Sequence, residues 1–184
     1  MRCAGVLLTG GLSSRLGVDK ATLVVDGEPL AVHAGRVLAS VCAPVVEAGF
    51  GVSGLPAVRE EPPGSGPLAG FLAGCDAVQQ TDSVGSVVLL ACDLPFADEA
   101  LLRWLVDQPG AGSFVPTVRG ADQYACSRWS PQAIATARDR CRAGDRALKA
   151  LLAAGDIIRL AADDRADALV DVDTPEDVRR LRLS

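Results

Sequence analysis

Gly10 and Gly11 end a short apolar run, and Ser13, Ser14, Arg15 and Lys20 follow within nine residues. These are residue types that hold a polyphosphate. Glycines without side chains let backbone N–H groups approach phosphate oxygens closely. Serine hydroxyls add donors, an arginine offers a planar fork, and a lysine supplies a mobile point charge. Asp93 closes the run "VVLLACD", the clearest central-strand pattern in the chain. With a triphosphate in the opening loop, Asp93 is the natural magnesium ligand, because magnesium takes hard oxygens and shares them between carboxylate and phosphate. The plainer alternatives are a strand-to-helix turn with solvated charges, and a strand-end aspartate that caps the next loop.

The spacing rules out two common phosphate motifs. A Walker A loop places Lys-Ser/Thr directly after a glycine, whereas Gly17 is followed by Val18 and Asp19 before Lys20. A dinucleotide fingerprint needs G-x-G-x-x-G, which "GGLSSRLG" does not match. In "REEPPGSGPLAG", Glu60 and Glu61 precede a glycine-rich turn that presents a carboxylate and backbone groups to a base or sugar, or else forms a rigid surface turn. In "DVDTPEDV", Asp171 and Asp173 occupy alternate residues of an expected strand end and so point the same way. They suit a second metal contact or an acceptor contact; helix capping already accounts for Thr174, Pro175 and Glu176. His33 reads as a structural helix residue. No G-x-S-x-G elbow is present for serine-hydrolase chemistry. Arg128 and Lys149 are candidates to face an anionic acceptor, although their sequence positions alone do not place them.

These groups need a scaffold. "CAGVLLT", "ATLVVDG", "APVVEAG", "GSVVLLACD", "GSFVPTVRG", "DQYACSRW", "DIIRLA" and "ADALVDV" read as extended segments. "PLAVHAGRVLASV", "PLAGFLAGCDAVQQ", "ADEALLRWLVDQP", "PQAIATARDRCRAG", "RALKALLAAG" and "TPEDVRRLRLS" read as helical. Leu101, Leu102, Leu105 and Val106 recur at helical spacing, and Trp104 and Trp129 are expected to pack against helices. Strands alternating with helices predict an α/β fold whose mostly parallel sheet is covered on both faces.

The 184 residues suit one domain, 1–184, able to bury a core without metal or disulfide staples. A net charge of −5, with basic runs interrupted by acids, argues against nucleic-acid and membrane-surface partners. No apolar stretch reaches the roughly 18 to 20 residues that span a bilayer, and the opening run lacks a signal-peptide cleavage pattern. Six irregularly spaced cysteines without a CxxC pair, and a single histidine, point to reduced thiols in a cytoplasmic protein rather than a disulfide framework or zinc cluster. Oligomeric state is not encoded in any of these features.

Taken in order, "LLTGGLSSRLGVDKATL", "GSGPLAG", "ACDLP" and "DVDTPEDV" resemble the MobA-like nucleotidyltransferases, over nearly the whole chain from Leu7 to Leu181. The subgroup that the motifs resemble is molybdenum cofactor guanylyltransferase. The resemblance implies a three-layer, Rossmann-like sandwich of the GT-A nucleotidyltransferase type, with GMP passing from GTP to the terminal phosphate of Mo-molybdopterin and pyrophosphate leaving. It implies that Leu8, Gly10, Gly11, Ser14 and Arg15 wrap the nucleotide and that Lys20 supports its phosphates. Asp93 then binds Mg2+, Glu60 and Gly66 lie beside the guanosine, and the C-terminal motif borders the acceptor pocket. Transient partners would be cofactor-donating or molybdoenzyme-maturation proteins. Two departures stand out: Glu60, or Glu61 in its place, stands where the family has a shorter aspartate, and Asp171 and Asp173 replace asparagines. The acidic C-terminal form also resembles cytidylyltransferases acting on the same cofactor. A GTP-binding domain that has lost transfer is the non-enzyme alternative.

Overall fold

The computed structural model describes residues 3–10, 20–81, 85–153 and 155–181. The first strand, β1 (Cys3–Leu8), is buried at all six positions. A continuous apolar run suits a strand covered on both faces. Helix α1 (Leu30–Val41) follows a small hairpin of β2 (Val24–Val25) and β3 (Glu28–Pro29). The chain continues through β4 (Val45–Ala48), β5 (Ala57–Val58), α2 (Pro67–Thr81), β6 (Ser86–Ala91) and α3 (Glu99–Val106). Strands β7 (Ser113–Val118), β8 (Ala121–Asp122) and β9 (Cys126–Trp129) precede α4 (Pro131–Arg142), and β10 (Ile157–Ala161) and α5 (Pro175–Arg180) close the order.

The main sheet runs β10-β7-β9-β6-β1-β4-β5, with β8 paired to β7. Strands β5, β4, β1 and β6 are parallel neighbours, and β10 is parallel to β7. Strand β9 runs antiparallel to β6 and to β7, so the sheet is mixed. After β1 the chain builds outward to β4 and β5, then crosses to β6 on the other side of β1. The order therefore reverses between β1 and β6, the place where open α/β sheets form a ligand crevice beyond their carboxyl ends. Leu8 pairs with Ala91 in register, and the Cys92 N–H donates to the Leu8 carbonyl at 3.0 Å. Gly10 and Asp93 thus leave the sheet side by side.

Alternation along the central strands divides the core into two layers. Leu7, Val88 and Leu90 join Leu38 of α1 and Leu101, Leu102 and Leu105 of α3 on one face. Val6, Leu8, Val87 and Leu89 join Leu68, Phe71 and Leu72 of α2 and Ala133, Ile134 and Ala137 of α4 on the other. Trp129 is buried in that second layer, as expected. Helix α3 is capped by Asp98, whose side chain accepts from the Leu101 N–H, and α4 by Ser130, which accepts from the Ala133 N–H. The C-terminal helix carries a full capping box, Thr174 with Asp177, and Pro175 in its first turn.

Two expected strands differ. In "ATLVVDG" only Val24–Val25 is extended, because Lys20–Thr22 closes as a 3-10 turn whose Lys20 carbonyl accepts from Leu23 N–H at 3.2 Å. Asp26 and Gly27, with φ of 50° and 83°, then reverse the chain, the left-handed pair a two-residue hairpin demands. "ADALVDV" forms no strand. Residues Asp163–Leu169 wind as 3-10 helix, opened by the Arg165 N–H to Ala162 carbonyl bond after β10 has ended. Asp171 and Asp173 therefore lie in a connecting segment rather than at a strand end, and the segment docks onto Asp93 instead of the sheet.

Candidate active site

Asp93 sits two residues beyond β6, and Lys20 reaches it from the 3-10 turn after the glycine-rich loop. Lys20 Nζ lies 3.2 Å from Asp93 Oδ2 and 2.5 Å from Asp173 Oδ1. The three come from residues 20, 93 and 173, and a small third core brings them together. Leu23, Val25 and Leu30 bury Val172 between them, with Val178 and Leu181 packed alongside. The Val172 N–H then donates to the Asp93 carbonyl at 3.0 Å. With Val172 turned inward, its neighbours Asp171 and Asp173 both act on Asp93: burial raises the Asp93 pKa first, Lys20 pulls it back, and the charges of Asp173 and Asp171 push it up again. The net direction is upward. For Lys20, burial alone would lower the pKa, but the hydrogen bond to Asp173 and the charge of Asp93 outweigh it and hold the ammonium protonated.

Among the described residues the charges lean towards acid: two carboxylates meet one ammonium, and the charge of Asp171 acts on Asp93 as well. The second oxygen, Asp93 Oδ1, is buried and has no hydrogen-bond partner among the described residues. A buried carboxylate oxygen without a partner is costly unless a cation reaches it. Among the described residues no group of three or more acidic, histidine or cysteine side chains is assembled as a complete metal cage. The donor set instead fits magnesium, which commonly takes one or two carboxylates and completes its shell with water and substrate phosphates.

On the β4 side, Glu60 folds back over the entrance to α2. Its Oε1 accepts from the Gly64 N–H at 3.0 Å, and it is half-buried while Glu61 is exposed. A Cβ added to Gly70 would meet Leu8 at 3.7 Å and Glu60 Oε2 at 3.8 Å, so the carboxylate lies against the end of β1. Gly66 has φ of 97° and stands 3.0 Å, measured from an added Cβ, from the Arg146 backbone, so both shape and space call for glycine. Leu8 is buried at the end of β1, and Gly10 lies two residues beyond it. Gly11, Ser14 and Arg15 lie outside the described residues, as does Ser13.

Other expectations fall away from this crevice. Arg128 is buried, stacks on Phe114 with its guanidinium carbon 4.2 Å from the ring centre, and donates to the carbonyls of Val106, Gln108 and Gly110. It closes the end of α3 and faces no acceptor. Lys149 is exposed on the 3-10 segment Leu148–Ala153. His33 is structural: its Nε2 lies 3.1 Å from the Ala97 carbonyl. Burial pushes the Cys42 and Cys126 thiols to about 12, so neither is a ready nucleophile.

The sequence reading missed Glu47. It is fully buried on β4, and its carboxylate accepts from the Thr9 hydroxyl at 2.5 Å, the Gly51, Val52 and Ser53 N–H groups at 2.7, 3.1 and 2.8 Å, and the Ser53 hydroxyl at 2.5 Å. Burial raises its pKa, but the Ser53 and Thr9 hydrogen bonds and the loop amides prevail and hold it below 4.5. A carboxyl group depressed on folding contributes stability that is present above its unfolded pKa and is lost as pH falls through the folded one. Glu47→Gln should therefore flatten the acid limb of the stability curve below about pH 4.5. Denaturant unfolding from pH 3 to 7 checks this; an unchanged slope would contradict it.

Residues 5–164 match the family model of the MobA-like NTP transferase domain. The chain is 33% identical to a molybdenum cofactor guanylyltransferase of Rhodobacter capsulatus, covering 98% of this chain and 95% of the relative. It is 35% identical to a probable molybdenum cofactor guanylyltransferase of Opitutus terrae over 82% of this chain and 78% of that one. In fold it matches a Methanothermobacter nucleotidyl transferase with a TM-score of 0.77, at 19% identity over 98% and 96% of the two chains. With the sheet reversal at β1 and the Lys20–Asp93 pair beyond it, these matches show that the chain belongs to the MobA-like NTP transferase family and is a nucleotidyltransferase.

Proposed function

We propose that the chain, acting as one domain over residues 1–184, transfers GMP from GTP to the terminal phosphate of Mo-molybdopterin and releases pyrophosphate. The observation that carries the chemistry is the meeting of Lys20 with Asp93 and Asp173 at the sheet's switch point. The substrates are taken from the molybdenum cofactor guanylyltransferases to which the chain is similar along its length.

The acceptor phosphate is already an anion, so no strong general base is needed. The difficulty is bringing it to the α-phosphate of another polyanion. Lys20 leaves its carboxylate partners to meet the triphosphate, with Gly10, Gly11, Ser14 and Arg15 offering further donors to the phosphates. Magnesium would be held by Asp93, through the oxygen that has no partner among the described residues, with Asp173 or Asp171 beside it. When bound, it offsets charge on the α-phosphate and the departing pyrophosphate. In-line attack forms one P–O bond to the acceptor oxygen as the bond to the β-phosphate breaks. Lys20 donates to the charge that develops, and fixed geometry supplies much of the remaining rate. Leu8, Glu60 and Gly66 hold the guanosine side.

One observation favours a second base: Asp171 and Asp173 stand in the acidic form of the C-terminal motif, which also suits cytidylyl transfer. Pyrophosphate release from GTP, with and without Mo-molybdopterin, tests the proposal. Release that depends on both the acceptor and Mg2+ is expected; absence of turnover with every nucleoside triphosphate would sink it.

A further inference from the structure

We infer that Glu47 is a positioning residue for the donor nucleotide, setting the point where the glycine-rich loop leaves β1. The inference rests on that loop holding the donor, as proposed above. A buried carboxylate is expensive unless its lone pairs are filled. Here two donors are hydroxyls and three are consecutive amides of one loop, Gly51, Val52 and Ser53. Four of the five donors belong to residues 51–53 and anchor the β4–β5 loop. The fifth, the Thr9 hydroxyl, belongs to a different segment, the residue immediately before Gly10.

Magnitudes decide what holds Thr9 and Gly10. Their N–H groups share one acceptor, the Ala48 carbonyl, at 3.3 and 3.4 Å, which is long for a backbone bond. The Thr9 hydroxyl reaches Glu47 at 2.5 Å. A bond to an ionised acceptor is about twice as strong as a neutral one. The side-chain bond is therefore the firm tie at the root of the loop. Gly49 leaves room for it: a Cβ there would fall 1.9 Å from Thr9 Oγ1 and 3.2 Å from the Gly10 nitrogen. Loss of the tie frees Gly10 to shift relative to the phosphates, while the C-terminal segment proposed to border the acceptor, around Asp171 and Asp173, keeps its own supports.

Thr9→Val removes the hydroxyl and keeps the shape. We expect the KM for GTP, and its dissociation constant by calorimetry, to rise about tenfold. The KM for the acceptor should stay within about twofold, and Thr9→Ser should restore the donor values. A general loss of stability would not separate the two substrates or respond to serine. Glu47→Gln, which keeps the shape and an acceptor oxygen, carries the same readout should Thr9→Val fail to fold. Unchanged donor affinity in a folded variant, equal shifts for both substrates, or no rescue by serine would overturn the positioning role while wild-type transfer stands. A wild-type protein that neither binds nor turns over any triphosphate would overturn the donor-site reading as well.

Discussion

Asp93→Asn should lower turnover by about a hundredfold or more, while the protein melts at or above the wild-type temperature. The two effects share one cause. Asp93 is held where its charge is needed but poorly solvated: Oδ1 is buried without a partner among the described residues, and burial is the leading reason its pKa is raised. The ionised form is thus penalised by folding at neutral pH, and the penalty is lost only as pH falls through the folded pKa towards the lower unfolded one. Asparagine keeps the shape without the charge. Its cost in the resting protein is one weakened contact at 3.2 Å, since Lys20 keeps its 2.5 Å bond to Asp173. Its cost in catalysis is the anion that would hold magnesium. A stability gained by removing a functional group is the usual sign of a site strained for its task. Initial rates and thermal melts of both proteins check this; a near-normal rate would remove Asp93 from the machinery.

Gly49→Ala should destabilise the fold by about 3 kcal/mol, at the upper end of what overpacking one site costs. That corresponds to a fall in melting temperature of about 6 to 12 °C for a chain of this size. The added carbon would sit 1.9 Å from Thr9 Oγ1 and 3.0 Å from Glu47 Oε1, and neither neighbour can retreat without breaking their bond. Gly155 provides the control, because an added Cβ there meets nothing within 4 Å and no left-handed φ is involved. Gly155→Ala should change stability by less than about 0.5 kcal/mol. Equal shifts for the two variants would refute the close approach at Gly49.

The parts of the fold that were legible in the sequence are those where local pattern and tertiary role agree. The continuous apolar runs of β1 and β6 are buried on both faces, and Asp98, Ser130 and Thr174 cap helices by the chemistry their types suggest. Lys20 and Asp93 were likewise readable as residues of one phosphate-and-metal site, though not as partners of each other. The misread segments were decided by contacts distant in sequence. "ADALVDV" has strand-like composition, but Val172 is claimed by Leu23, Val25 and Leu30, and its N–H by Asp93. Arg128 looks like an anion ligand until three carbonyls at the end of α3 are seen to occupy it. Glu47 was hidden for the opposite reason. A glutamate within the extended run "VVEAG" carries no sequence signal of burial, and only the fold of residues 49–53 around it reveals a buried carboxylate.

Side-by-side product formation from GTP and CTP, with Mo-molybdopterin and Mg2+, tests the central claim most directly. The expected result is pyrophosphate release and GMP attached to the cofactor, with GTP preferred over CTP. Preference for CTP would contradict the guanylyl assignment, and no product from either nucleotide would contradict transfer to this acceptor.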